Sequence, residues 1–123
     1  MEIFLNNYSE ILSKVTDYIA NSKALSPLYL DNDDFQCYLR KYRDESSFVI
    51  TRFYILNEKF RGNGYGTKLI NDIHHIKSDF DKTIIDCIGN PRLVNWLIRH
   101  GWLITDETKT HRCPSLYKSK PRS

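Results

Sequence analysis

The chain has 123 residues, of which 41% are hydrophobic and 27% charged, so we expect a single domain over residues 1–123 with an ordinary hydrophobic core. Its formal net charge of +3 indicates mild attraction to anions but is too small to predict nucleic-acid binding by itself. No apolar run has the length of a membrane span or a signal peptide, and we therefore expect a cytoplasmic protein without a membrane partner.

The first half of the chain predicts one helix and then a β-hairpin. Apolar residues recur at helical spacing over residues 8–22, and we interpret this stripe as core packing. Residues 35–42 alternate roughly between polar and apolar, and residues 48–56 are β-branched and aromatic, with a polar turn between them. The acidic residues from Asp31 onwards leave a second interpretation open, in which a helix runs through Arg40 instead of the first strand.

The second half predicts helices that alternate with short strands. We expect a helix over residues 66–77 and a buried strand over residues 83–88. A further helix over residues 90–100 has a proline in its first turn and is followed by Gly101, which is typical of a helix start and end. Two closing strands follow, at 102–105 and 115–118. This order predicts an α/β fold with a mixed sheet.

Three alternate glycines lie in the run Arg-Gly-Asn-Gly-Tyr-Gly of residues 61–66, between a predicted strand and a predicted helix. Glycine allows the backbone to approach a ligand closely, and the following helix directs its unbonded N–H groups and positive dipole end to the same place. The segment therefore predicts a phosphate site. A Walker loop and a dinucleotide fingerprint are both excluded, because each needs a glycine at Thr67 when counted from Gly62.

The remaining pattern, Arg-x-x-Gly-x-Gly at residues 61–66, resembles the coenzyme A pyrophosphate loop of the GCN5-related N-acetyltransferase (GNAT) superfamily. Residues 90–102 are similar to a second pattern of that family, in which an Asn is followed by a helix and a closing Gly-aromatic pair. The resemblance covers residues 48–102. It implies a GNAT-like acyl-CoA N-acyltransferase fold, an α/β fold with a mixed sheet, here abbreviated at its N-terminus.

The resemblance implies that acetyl-CoA is the co-substrate and that its pantetheine arm lies between two splayed parallel strands. Main-chain groups near Tyr54, Ile55 and Leu56 would bind this arm and polarise the thioester carbonyl. The glycine loop would hold the pyrophosphate through Arg61, Gly62, Asn63, Gly64, Tyr65, Gly66 and Thr67.

Asn90 would contact the pantetheine, according to the same resemblance. It has a simpler interpretation as a helix cap, since Asn is favoured there, and Arg61 has one as a surface residue. Without the family context, the glycines would be consistent with a plain loop.

The reaction implied is attack of an amine on the acetyl thioester, and the amine belongs to a small molecule or to a protein lysine or N-terminus. This needs a base for the amine and an acid for the departing thiolate. Many family members place a Tyr as the acid four residues before the closing Gly, where this chain has Leu97. We expect Tyr54 or Tyr117 as a substitute acid and Asp86 as the base. Each also fits a structural role, as a half-buried strand tyrosine or a carboxylate paired within the sheet.

Two other functions stay open on the sequence. Leu97 favours a non-catalytic acyl-CoA-binding or interaction protein of the same fold, and the basic C-terminal tail is compatible with nucleic-acid binding, although such tails are usually only solvated surface. The short N-terminal part suggests an open acceptor groove or a pocket completed by a second subunit in a homodimer. Three cysteines without a CxxC pair predict reduced thiols and no metal site.

Overall fold

The fold is given by a computed structural model, which describes residues 2–20, 27–31, 35–42, 47–55, 64–77 and 80–120. In this part of the chain, three helices and six strands occur in the order α1 (Glu2–Ala20), β1 (Leu28–Asp31), β2 (Phe35–Tyr42), β3 (Ser47–Ile55), α2 (Tyr65–His74), β4 (Lys82–Ile85), α3 (Pro91–Arg99), β5 (Leu103–Ile104) and β6 (Leu116–Ser119).

The strands form one mixed sheet in the order β1-β2-β3-β4-β6-β5. β3 and β4 run parallel, and every other neighbouring pair is antiparallel. A parallel pair needs a long crossover connection, and α2 supplies it here. The predicted α/β fold with a mixed sheet is confirmed.

All three helices contribute side chains to a single hydrophobic core against one face of the sheet. Val15 of α1, Ile73 of α2 and Leu97 of α3 are each fully buried there. Burying a side chain of this size stabilises the fold by about 1.5–3 kcal/mol. The opposite side of the sheet, which we call the outer face, carries strand side chains such as Tyr29 and Tyr54, which are 64% and 52% exposed.

Several predicted boundaries differ from the structure. α1 begins at Glu2, well before the predicted residue 8. The helical alternative from Asp31 is wrong, because Asp31 ends an unpredicted strand and pairs with Gln36 at the start of β2. β4 ends at Ile85, three residues before its predicted end, because the chain leaves the sheet there.

Candidate functional site

Strands β3 and β4 separate where β4 ends. Their parallel pairing stops at Ile50 opposite Ile85, and the amide of Asp86 closes it with a 2.9 Å hydrogen bond to the carbonyl oxygen of Ile50. β3 then continues to Ile55, where it is paired with β2.

The chain after β4 turns towards β6 instead of following β3. Cys87 has a φ of 46°, which few residues other than glycine adopt, and the amide of Ile88 donates a 2.8 Å hydrogen bond to the carbonyl of Pro114. A gap therefore opens between residues 51–55 of β3 and residues 86–88. An extended ligand can pair with such an exposed strand as an added strand does.

A β-bulge in β3 lies next to this gap. Ile50 is opposite Leu39 of β2, whereas Arg52 is opposite Tyr38, so Thr51 is the extra residue. The Thr51 hydroxyl donates a 3.2 Å hydrogen bond to the carbonyl of Tyr38.

The bulge determines which main-chain groups of β3 face the gap. The carbonyl of Ile50 points at β4, and the extra residue shifts the regular alternation by one position. The main-chain groups of Phe53 and Ile55 consequently face the gap, while those of Tyr54 face β2. Of the residues expected to bind the pantetheine through their main chain, Leu56 lies outside the described residues.

Gly64 stands at the N-cap of α2 with a φ of 79°, a left-handed conformation that glycine adopts without steric cost. Its carbonyl accepts hydrogen bonds of 3.0 Å from the amide of Lys68 and from the Thr67 hydroxyl. The helix has no side-chain cap and no acidic residue in its first turn. The start of α2 therefore offers main-chain N–H groups, such as those of Gly66 and Thr67, to an anion. Three further residues of the predicted loop lie outside the described residues, namely Arg61, Gly62 and Asn63.

Asn90 is the N-cap of α3, and the structure places Pro91 directly after it. The Asn90 side-chain oxygen accepts a 3.0 Å hydrogen bond from the amide of Arg92. The cap uses the side-chain oxygen, so the side-chain NH₂ group can still donate to a ligand.

The three candidate catalytic side chains lie on the outer face. Asp86 follows the core-facing Ile85, and Tyr117 is opposite Ile84, so both point away from the helices. Tyr54 points the same way, and the guanidinium carbon of Arg52 lies 4.7 Å from its ring centroid.

Asp86 is held by a residue that we had not predicted, Ser115. The Ser115 hydroxyl donates a 2.7 Å hydrogen bond to Asp86 Oδ1 and accepts one of 3.0 Å from the amide of Cys87. The sequence carried one usable signal, which is the position of Ser115 at the start of the predicted strand 115–118. If this strand pairs antiparallel with the predicted strand 83–88, Ser115 lies beside the end of strand 83–88, close to Asp86. The partner strand of β4 could not be deduced from local patterns.

A disulfide joins Cys87 and Cys113 beside this pair of residues, with the two Cα atoms 4.6 Å apart. The expectation of reduced thiols is therefore wrong for these two cysteines, because the pairing of β4 with β6 brings together residues 26 positions apart. Cys37 is free and buried, and burial raises the pKa of its thiol to about 12.

Leu97, at the position of the expected tyrosine acid, is fully buried in the core. Two other residues at the same end of α3, Trp96 and His100, pack against each other. The His100 ring is stacked on Trp96 at a centroid distance of 3.9 Å, and its Nδ1 lies 2.7 Å from the carbonyl of Trp96. This end of α3 is thus a packed structural element.

The first turns of α2 are tied to α1 by three polar side chains. Lys68 Nζ lies 2.9 Å from Asp72 and 3.2 Å from the Tyr8 hydroxyl, which itself donates to Asp72. Burial and the hydrogen bond to Asp72 raise the pKa of Tyr8 to about 12. Although burial opposes it, the hydrogen bonds from Tyr8 and Lys68 lower the pKa of Asp72. The helix that carries the candidate anion site is thereby fixed against α1.

Among the described residues, no group of three or more His, Cys, Asp or Glu side chains is arranged to hold a metal ion. None of the helices in these ranges is both long and apolar enough to cross a bilayer.

Neither a protein-family model nor a curated protein matches the sequence. Solved structures do match in fold. An acetyltransferase of the GNAT family from Staphylococcus aureus has a TM-score of 0.54 at 10% identity, and the match covers 72% of this chain and 60% of that one. GCN5 of Tetrahymena has a TM-score of 0.53 at 12% identity, over 94% of this chain and 83% of that one. An acetyltransferase from Bacillus subtilis, solved with CoA, has a TM-score of 0.50 at 16% identity, over 72% and 70%.

These likenesses show the fold. The chain has the mixed α/β fold of the GNAT acetyltransferases, as the two sequence patterns predicted, and it spans only 60% of the Staphylococcus aureus structure.

Proposed function

We propose that this protein is an acetyl-CoA-dependent N-acetyltransferase that transfers an acetyl group to an amine. The observation that carries the proposal is the separation of β3 and β4 after Ile50, next to a helix whose first turn is left open by Gly64. A slot with exposed strand backbone beside an anion site fits a ligand that has an extended amide-containing arm and a pyrophosphate. Coenzyme A is such a ligand, and a protein of the same fold has been solved with CoA.

In this proposal the main-chain groups of Phe53 and Ile55 pair with the pantetheine arm, and Tyr54, which lies between them, contributes its side chain. Leu56 would extend the same edge. The NH₂ group of Asn90 donates to the arm from the other side of the gap. The pyrophosphate is bound by the glycine loop, comprising Arg61, Gly62, Asn63, Gly64, Tyr65, Gly66 and Thr67.

Acetyl-CoA supplies an activated acyl group, and the protein's own residues bring the amine to it and move the protons. A new C–N bond forms as the C–S bond breaks, one proton leaves the amine nitrogen, and one proton is added to the departing thiolate. Asp86, at the point where the strands separate, is the proposed acceptor of the amine proton. The main-chain N–H groups of β3 that face the gap would stabilise the developing oxyanion.

Two tyrosines are candidates for the acid that protonates the thiolate. Thr51 of β3 lies level with Asp86 in the sheet. Tyr54 is three residues further along β3, which is about 10 Å from that level. Tyr117 is opposite Ile84, two residues before Asp86, and hence about 7 Å away in the other direction. Comparing Tyr54→Phe with Tyr117→Phe for the rate of CoA release assigns the role to one of them.

The experiment that tests the function is incubation with acetyl-CoA and a panel of amines that includes polyamines, lysine peptides and peptides with a free N-terminus. Free thiol and acetylated amine are measured together with the affinity for CoA. We expect CoA to bind and at least one amine to be acetylated in amounts equal to the thiol released. Absence of CoA binding would exclude the proposal.

A second candidate function is acyl-CoA binding without catalysis. It is favoured by Leu97, which fills the expected acid position and is fully buried. Tight CoA binding without acetylated product across the panel would support this second function over the first.

A further inference from the structure

We propose that Ser115 is a positioning residue that fixes the carboxylate of Asp86 so that its second oxygen, Oδ2, receives the proton of the acceptor amine. This inference rests on the proposed acetyltransferase function. It adds a residue that the resemblance to the GNAT family did not indicate.

The hydrogen bonds of the Ser115 hydroxyl have a fixed direction. A hydroxyl has one proton to donate and two lone pairs. The Cys87 amide can only donate, so the Ser115 oxygen must accept there. The hydroxyl proton is then directed to Asp86 Oδ1 at 2.7 Å. Oδ1 is thus occupied as an acceptor, and among the described residues Oδ2 has no hydrogen-bond partner.

Ser115 itself is held rigidly by its surroundings. It is only 5% exposed. Its amide donates a 2.8 Å hydrogen bond to the Thr108 hydroxyl, and its carbonyl accepts a 2.9 Å bond from the amide of Thr105. A hydroxyl whose own backbone is fixed can orient a neighbouring group. Little conformational freedom then remains for Ser115 and Asp86 to lose when the substrate binds.

Asp86 lies where the two parallel strands separate. Asp86 provides the last hydrogen bond between β3 and β4, so its side chain stands at the start of the gap on the outer face. Among the described residues, the charged and titratable side chains on the same face of the neighbouring strands are Arg52 and Tyr54 of β3, Lys82 of β4 and Tyr117 of β6. The Arg52 guanidinium lies over the Tyr54 ring at 4.7 Å, and the Lys82 ammonium lies over the Tyr117 ring at 5.6 Å. Neither of these pairs bonds to Asp86, which leaves Ser115 as its described hydrogen-bond partner.

The decisive experiment is a double-mutant cycle in acetyl transfer. Ser115→Ala is expected to lower kcat by about tenfold to a hundredfold, since a misplaced catalytic group costs rates of this order, and to change CoA affinity by less than about twofold. In an Asp86→Asn background the same substitution should have no further effect on kcat. Equal losses in both backgrounds would overturn the proposal.

Two further variants control for local disruption. Thr110→Ala removes an exposed hydroxyl from the same loop and should leave kcat unchanged. Ser115→Thr keeps the hydroxyl and should recover part of the lost rate. If Ser115→Ala fails to fold, Thr108→Val removes the hydroxyl that holds the Ser115 backbone and should give a smaller loss of the same kind.

A readout without catalysis separates this inference from the proposed function. With carboxyl-labelled aspartate, the ¹³C chemical shift of the Asp86 carboxylate can be compared at one pH in the wild type, Ser115→Ala and Thr110→Ala. Only Ser115→Ala should change it, because only this variant removes the hydrogen bond to Oδ1. An inactive wild type would remove the acetyltransferase proposal, while an identical chemical shift in all three proteins would remove the role of Ser115.

Discussion

The amide of Asp86 donates a 2.9 Å hydrogen bond to the carbonyl of Ile50, and beyond this bond the two parallel strands diverge. The gap therefore starts at a defined residue on each strand. On one side it is bordered by the backbone of a bulged strand, and on the other by a carboxylate that a buried serine holds in place.

Replacing Gly64 tests the anion site at α2. Gly64→Val should weaken CoA binding at least about tenfold and destabilise the fold by about 1–2 kcal/mol, because a residue with a Cβ is strained at a φ of 79°. Calorimetric titration with CoA and urea denaturation measure the two effects. Gly89→Ala is the matched control, since an added Cβ there meets no atom within 4 Å beyond its two chain neighbours, and it should be neutral in stability. Unchanged CoA affinity in Gly64→Val would contradict the site.

Two substitutions of Asn90 distinguish helix capping from ligand binding. Asn90→Ala removes the side-chain acceptor that bonds the amide of Arg92 and should cost about 1 kcal/mol of stability. Asn90→Asp keeps that acceptor and should leave stability nearly unchanged while losing the NH₂ donor. Thermal denaturation should therefore find Asn90→Ala less stable than Asn90→Asp. If the NH₂ group contacts the pantetheine, titration with CoA should show a weaker affinity for both variants. A wild-type affinity in Asn90→Asp would leave Asn90 with the capping role alone.

The disulfide should contribute substantially to stability. Breaking a link between residues 26 positions apart is expected to cost about 3–4 kcal/mol through the added entropy of the unfolded chain. Urea denaturation with and without a reductant measures this, and Cys87→Ser should reproduce the reduced value. Cys37→Ala is a separate control, because the free thiol of Cys37 is buried and its variant should keep its sensitivity to the reductant. An equal midpoint with and without reductant would show that the disulfide does not stabilise the protein.

His74 should make stability depend on pH. Its imidazole is buried, and burial, followed by the charges of His75, Lys118 and Lys120, lowers its pKa from 6.5 to about 4. Between these values the unfolded state binds more protons than the folded state, so the free energy of unfolding falls as pH drops from 6.5 towards 4. The loss is at most about 3 kcal/mol.

Urea denaturation at several pH values measures the effect of His74. His74→Leu should flatten the dependence between pH 4 and 6.5, whereas His111→Gln, at an exposed loop position, should retain it. An equally steep dependence in His74→Leu would assign the titration to other groups.

The sequence predicted the elements whose signals are local. α3 was recognised from Pro91 and from Gly101, whose φ of 91° requires glycine, and α2 from its apolar spacing after the glycine loop. β1 was missed because four residues with one buried position give too short a pattern. The register of β3 was also beyond local patterns, because the bulge at Thr51 is defined only by its pairing with β2.

The candidate site was predicted unevenly for the same reason. The glycine loop and Asn90 belong to continuous motifs, and Gly64 and Asn90 are indeed helix caps in the structure. Ser115 and the disulfide were missed because each depends on which strand lies beside β4. The pairing of β4 with β6 joins residues that are about thirty positions apart in sequence. A connection of this length leaves no signal in the local sequence pattern.

Thr51 has one more consequence for how β3 tolerates change. Up to Ile50 the strand follows one inside–outside phase, and from Arg52 it follows the other. Deleting Thr51 would remove the extra residue and leave Arg52 on the outer face and Phe53 in the core, whereas deleting a residue from a regular part of the strand would turn the side chains beyond it to the opposite face. Loss of Thr51 should therefore be easier to accommodate than a deletion elsewhere in β3.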